Sequence, residues 1–276
     1  MIIHNIEDWD DAYANMPHIP GGETYPEHWT RKAADFRQAM MSAGRAELDL
    51  SYGQAERNRW DLFMPEGAAR GLFVFVHGGY WMRFDNSFWS HLAAGPMAHG
   101  YAVAMPRYTL CPDIRIRDIT REVGTAIEAA ASRVEGPIVL SGHSAGGHLV
   151  SRMICSDTPL GPAISSRIAS TLSISGVHDL RPLLRIEMNA TLRLDAAEAA
   201  AESPALLEPV GAVELLCWVG GAERSEFVRQ NALLANIWRG LGARTLCVEE
   251  PDRHHFNVID GLGEPDSPLM RTVFGF

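Results

Sequence analysis

A serine hydroxyl, an imidazole and a carboxylate, once brought together, can transfer an acyl group. This chain carries candidates for all three. Ser144 lies in Gly142-His143-Ser144-Ala145-Gly146. Small residues two places to either side of a serine allow a sharp turn that exposes its hydroxyl. The preceding run, Pro137-Ile138-Val139-Leu140-Ser141, reads as a buried strand, and His148 to Ile154 can continue as a helix. Strand, tight turn and helix form the setting in which a serine attacks a carbonyl. Taken alone, the pentapeptide also fits a plain small-residue turn that packs a helix on a strand. The rest of the machinery therefore decides.

Attack on a carbonyl builds negative charge on its oxygen, and donors fixed in advance stabilise that charge. The amide of Ala145, just after the serine, is one such donor. His77-Gly78-Gly79-Tyr80-Trp81 follows the apolar run Phe73 to Val76 and offers the amides of Gly78 and Gly79. Tyr80 and Trp81 are expected to line the substrate pocket and stack on an aryl group. Packing beneath the loop is the alternative.

The serine needs a base. Of the 11 histidines, His254 and His255 follow the last apolar run, Arg244 to Val248. Adjacent side chains diverge, so one of them should face Ser144. His255 is favoured, with Phe256 beginning a helix that anchors the loop, and His254 is the fallback. The acid that orients the imidazole should follow the preceding strand, in Val219-Gly220-Gly221-Ala222-Glu223-Arg224-Ser225-Glu226. Glu223 is best placed and Glu226 is second. The order Ser144, Glu223, His255 suits a nucleophile on a parallel sheet. Asp179 follows another strand end, where capping a helix is its better use.

These groups need a scaffold that gathers strand ends. Ala46 to Tyr52 and Arg59 to Met64 alternate in polarity and read as an antiparallel hairpin. Continuous apolar runs follow at 71–76, 101–105, 138–140, 169–174, 213–219 and 244–248, separated by helical patterns such as Arg115 to Val134 and Glu226 to Leu241. Buried strands alternating with helices make a mostly parallel sheet covered on both faces. With the serine after the third parallel strand, the pattern predicts an α/β-hydrolase fold. Residues 1–276 are expected to form a single domain. Residues 1–45, with a helix from Trp29 to Ser42, form an N-terminal extension. Residues 177–210 form a small cap-like insertion, with a helix over Leu194 to Leu207.

A length of 276 residues is near the upper limit for one hydrophobic core, and the net charge of -10 argues against nucleic acid and anionic membrane surfaces. Neither the first ten residues nor any later run resembles a signal peptide or a membrane span, so a cytoplasmic location is expected. Cys111, Cys155, Cys217 and Cys247 are widely spaced and suggest neither zinc nor a disulfide framework. Cys217 and Cys247 are expected to be buried strand residues. No metal and no cofactor is expected. The expected partner is a small-molecule substrate, and a homodimer is compatible with the sequence.

His77-Gly78-Gly79-Tyr80-Trp81, Gly142-His143-Ser144-Ala145-Gly146, Glu226-Phe227-x-x-Gln230 and His255-Phe256 together resemble the α/β-hydrolase type of kynurenine formamidase (arylformamidase). That family is close to the hormone-sensitive-lipase-like esterases. The resemblance spans nearly the whole chain, including Leu50-Ser51-Tyr52-Gly53 and Asp61-Leu62-Phe63-Met64-Pro65. It implies hydrolysis of N-formylkynurenine to formate and kynurenine, in tryptophan catabolism, without a metal. The family often carries aspartate in the acid loop, where this chain has Glu223. A general small-ester carboxylesterase would use the same residues. A non-catalytic binding protein on this fold would be expected to lack a triad member, and none is missing here.

Overall fold

The structure is a computed structural model that describes residues 5–275. Met1–His4, part of the stretch read for a signal peptide and of the expected 1–276 domain, lies outside the described residues, as does Phe276. Strands β1 (Ala46–Ser51) and β2 (Arg59–Phe63) form the expected antiparallel hairpin, and β2 pairs antiparallel with β4 (Ala102–Arg107). β3 (Leu72–Val76), β4, β5 (Ile138–His143), β6 (Ile168–Ile174), β7 (Glu214–Gly220) and β8 (Arg244–Glu250) run parallel. The single sheet has the order β1-β2-β4-β3-β5-β6-β7-β8.

Successive side chains of a strand point to opposite faces. Val74 and Val76 of β3 therefore join one apolar layer with Ile119, Val123 and Ile127 of the helix Ile116–Ala131. Phe73 and Phe75 join the other, with Trp29 of the helix Tyr25–Ser42 and Met270 of the helix Pro268–Gly275. Every residue of β3 and β5 is buried, as a strand covered on both faces requires. Among the described residues no helix is long and apolar enough to cross a membrane.

Three expectations change. β8 is an edge strand with an alternating face, so Cys247 is exposed while Cys217 on β7 is buried. The helix expected over Leu194 to Leu207 is only Ala196–Ala201, capped by the Asp195 carboxylate accepting from Glu198 N. Pro204 lacks an N–H and disfavours a helical Ser203, so the chain restarts as a 3₁₀ turn, Pro204–Leu206. The helix expected from Phe256 is a turn followed by the 3₁₀ segment Val258–Gly263.

The sheet positions Ser144 at the carboxyl end of β5, where the chain reverses into the helix Ala145–Arg152. Ser144 has φ 55° and ψ −117°, a conformation that L residues rarely adopt. A Cβ on Gly146 would lie 1.9 Å from the Val76 carbonyl oxygen, and one on Gly142 would lie 2.2 Å from the Gly146 oxygen. The turn closes because both positions lack one. Gly146→Ala must therefore push β3 and the elbow apart. It is expected to lower unfolding stability by about 3 kcal/mol, measured by urea denaturation. A stability within error of the parent would contradict this account of the turn.

Candidate active site

The structure brings Ser144, Glu223 and His255 to the carboxyl ends of β5, β7 and β8. Glu223 lies between β7 and the helix Ser225–Gly240, and its side chain is fully buried. A buried carboxylate needs hydrogen-bond donors. Glu223 Oε1 accepts from Ser175 Oγ at 2.6 Å and from the Gly220 amide at 2.8 Å. Its Oε2 lies 2.6 Å from His255 Nδ1. A carboxylate accepts, so Nδ1 is the ring nitrogen turned to Glu223 and Nε2 is the one left over. The His255 ring is packed between Phe227 and His143, each with its centroid 4.5 Å away. Among the described residues no hydrogen bond joins Ser144 to His255. Such contacts commonly tighten only when substrate is bound.

The alternatives sit elsewhere. Glu226 is held by Arg229 at 2.6 and 2.8 Å and accepts from Tyr13 OH at 2.9 Å. His254 bonds to Tyr25 OH at 3.1 Å, and burial lowers its pKa. Asp179 accepts from the Arg181 amide at 3.0 Å, at the start of the 3₁₀ segment Arg181–Arg185, and pairs with its guanidinium. Burial alone would raise the Asp179 pKa, but the Arg181 hydrogen bonds outweigh it and hold it down.

Ser144, His143, His255 and Gly79 line a cavity of about 230 Å³. The amides of Gly78, Gly79 and Ala145 donate no hydrogen bond among the described residues. Six aromatic residues line the cavity: Tyr13, Trp29, Tyr80, Phe84, Trp89 and Phe256. Tyr80 lines it as expected, but Trp81 does not. The backbone turns through φ values of 110°, 53° and 57° at Gly79, Tyr80 and Trp81, which sends successive side chains apart. Trp81 is buried behind the loop, with Nε1 donating to His148 Nδ1 at 3.3 Å.

Burial keeps the other nearby imidazoles neutral. It lowers His77 to about 4 and His148 and His178 to about 3, and it takes His143 well below its ordinary value. Among the described residues no group of three or more His, Cys, Asp or Glu could hold a metal ion.

Two contributions escaped the sequence reading. Ser175 follows β6 with φ 51° and fixes Glu223. Its only signal was its place at a strand end. The N-terminal segment supplies Asp10, Tyr13, Asn15 and Met16 to the cavity wall, and the insertion supplies Ile186 and Met188. Tyr13 is clamped by Glu226 and by Gln230, whose Nε2 donates to its hydroxyl at 3.1 Å.

A model of the alpha/beta hydrolase family matches residues 73–269. The chain belongs to that family. It is a hydrolase acting on a small substrate. It is 25% identical to a kynurenine formamidase of Danio rerio over 255 residues, covering 88% of this chain and 84% of that protein. A kynurenine formamidase of Drosophila melanogaster is 26% identical over 262 residues, 90% of this chain and 87% of that protein. A solved structure from Silicibacter sp. TM1040, provisionally called a thioesterase, is 48% identical with a TM-score of 0.92, covering 97% of this chain and 99% of its own. The apo form of Thermogutta terrifontis esterase 2 shares the fold, with a TM-score of 0.66 and 22% identity over 83% of this chain and 91% of its own.

The Glu223–His255 contact has a spectroscopic signature. A short Nδ1–H···O bond to a buried carboxylate places that proton far downfield of the amides. The hydrolase should show such a resonance. Glu223→Gln should abolish it and Glu226→Gln should leave it in place. Loss of the resonance only in the Glu226 variant would reverse the assignment.

Proposed function

We propose that the hydrolase cleaves a small aryl formamide, N-formylkynurenine, to kynurenine and formate through a formyl-enzyme on Ser144. The observation that carries this reading is the convergence of Ser144 and a carboxylate-bound His255 on one aromatic-walled cavity. The similarity to kynurenine formamidases supports the choice of substrate.

His255 Nε2 takes the Ser144 proton as Oγ attacks the formyl carbon. The imidazolium that forms is stabilised by Glu223. The amides of Gly78, Gly79 and Ala145 hold the oxyanion. Each such donor is typically worth about 10²–10³ in rate. The tetrahedral adduct collapses, the C–N bond breaks, and His255 returns its proton to the departing arylamine. Water, deprotonated by the same imidazole, then attacks the formyl ester, releasing formate and restoring Ser144. Tyr80, Trp89 and Phe256 offer faces for the aryl leaving group. The chemistry needs no cofactor in this scheme.

A second reading is cleavage of a small ester or thioester by the same residues. The 48% identity to the Silicibacter sp. TM1040 protein favours keeping it. The two readings part on a substrate panel of N-formylkynurenine, p-nitrophenyl acetate and a short acyl thioester. The formamide is expected to have the highest kcat/KM. Far faster turnover of the ester or thioester would sink the formamidase reading. Ser144→Ala is expected to lower kcat by at least about 10⁴-fold on every substrate. Full activity in that variant would remove the serine mechanism itself.

A further inference from the structure

Among the described residues, one arginine and one aspartate line the Ser144 cavity without an ionic partner. Arg83 follows the Gly79-Tyr80-Trp81 turn, is exposed, and lines the cavity. Other arginines are engaged: Arg57 by backbone carbonyls, Arg152 by carboxylates, Arg185 by the Trp9 ring. The Arg83 guanidinium has neither a hydrogen bond nor an ion pair among the described residues. Burial raises the pKa of the Tyr80 phenol, and the Arg83 charge is near enough to act against that rise. Asp10 reaches the same cavity from the N-terminal wall. One of its oxygens accepts from the Glu187 amide at 2.7 Å, and no cation pairs with it among the described residues.

We propose that Arg83 and Asp10 form a subsite at the rim of this cavity for the α-amino-acid end of the leaving group. The guanidinium takes the carboxylate and Asp10 takes the ammonium. A planar guanidinium matches a carboxylate in two-point geometry. The charges stand on two different walls, the loop after β3 and the helix Trp9–Tyr13, so a zwitterion can bridge them where a simple anion would meet Asp10 unpaired. The aromatic walls then hold the aryl group between this end and the scissile bond at Ser144. The subsite rests on the serine-hydrolase reading of the cavity, and N-formylkynurenine carries such an end.

The test uses phenyl acetates, so that it stands apart from the formamide question. The substrates are O-acetyltyrosine, its des-amino analogue 3-(4-acetoxyphenyl)propanoate, and p-tolyl acetate. Arg83→Met is expected to raise KM for the two carboxylates about tenfold more than for p-tolyl acetate, with kcat little changed. Asp10→Asn is expected to raise KM for O-acetyltyrosine more than for the des-amino analogue. An Arg83→Met effect equal on all three acetates, or absent, overturns the subsite. An Asp10→Asn effect equal on the first two overturns the ammonium half. If the parent cleaves these acetates with that pattern but not N-formylkynurenine, the formamidase reading falls and the subsite stands. If it cleaves N-formylkynurenine and Arg83→Met spares the carboxylates, the subsite falls alone.

Discussion

The buried carboxylate of Glu223 is the constraint around which the site is assembled. A charge removed from water is costly unless donors replace its hydration. Here the donors come from three places: Ser175 after β6, the Gly220 amide at the end of β7, and His255 after β8. These strands are adjacent in the sheet, so their carboxyl ends open on one crevice. Satisfying the carboxylate therefore fixes the imidazole at the same time. Once Nδ1 is committed to Glu223, only Nε2 is left to face the cavity.

The serine answers to a separate constraint, one of space. β3 and β5 are neighbours, and the helix after Ser144 begins against the Val76 carbonyl. That approach admits glycine at 146 and forces Ser144 into its positive φ. The same approach lays the loop after β3 beside the first amide of the helix. The amides of Gly78, Gly79 and Ala145, unpaired among the described residues, thus result from how two adjacent strands end. The electrostatic and steric constraints act on opposite sides of one crevice. They meet because β5 and β6 are adjacent, with Ser144 N donating to Ile174 O at 2.8 Å.

The parts legible in the sequence are those that obey local rules. Continuous apolar runs marked β3 to β7, and alternation marked the hairpin, because burial on two faces or one leaves those patterns. The placement of Ser144, Glu223 and His255 at strand ends was legible through motif and chain order. Cys247 was misplaced because a run that looks apolar does not say whether its strand ends the sheet. Trp81 was misplaced because three consecutive positive φ values turn it away from Tyr80, and only Gly79 hints at that conformation. Ser175 was missed because its role exists only once Glu223 folds over it. The helix expected over Leu194 to Leu207 stops at Ala201 because Pro204 overrides the helical preference of the alanines.

The N-terminal segment shows why the cavity was less legible than the chemistry. Tyr13 reaches Glu226 and Gln230, more than 200 positions away, and Gln230 Oε1 also accepts from the amides of His178 and Asp179 at 2.9 and 2.8 Å. The Glu226-Phe227-x-x-Gln230 sequence therefore works as a clasp. It ties the N-terminal wall and the base of the insertion to the helix that begins just after Glu223. Phe227, between the two clasp residues, packs edge-on against Tyr13 and lies against His255. The segments that shape the cavity are thus referenced to the helix that follows Glu223. Ser144, Glu223 and His255 sit at strand ends whose spacing the sheet sets, while much of the cavity wall comes from segments held by side-chain hydrogen bonds. Such walls can change composition without disturbing the strand ends. This division lets one fold keep its strand-end geometry while the small molecule it accepts changes.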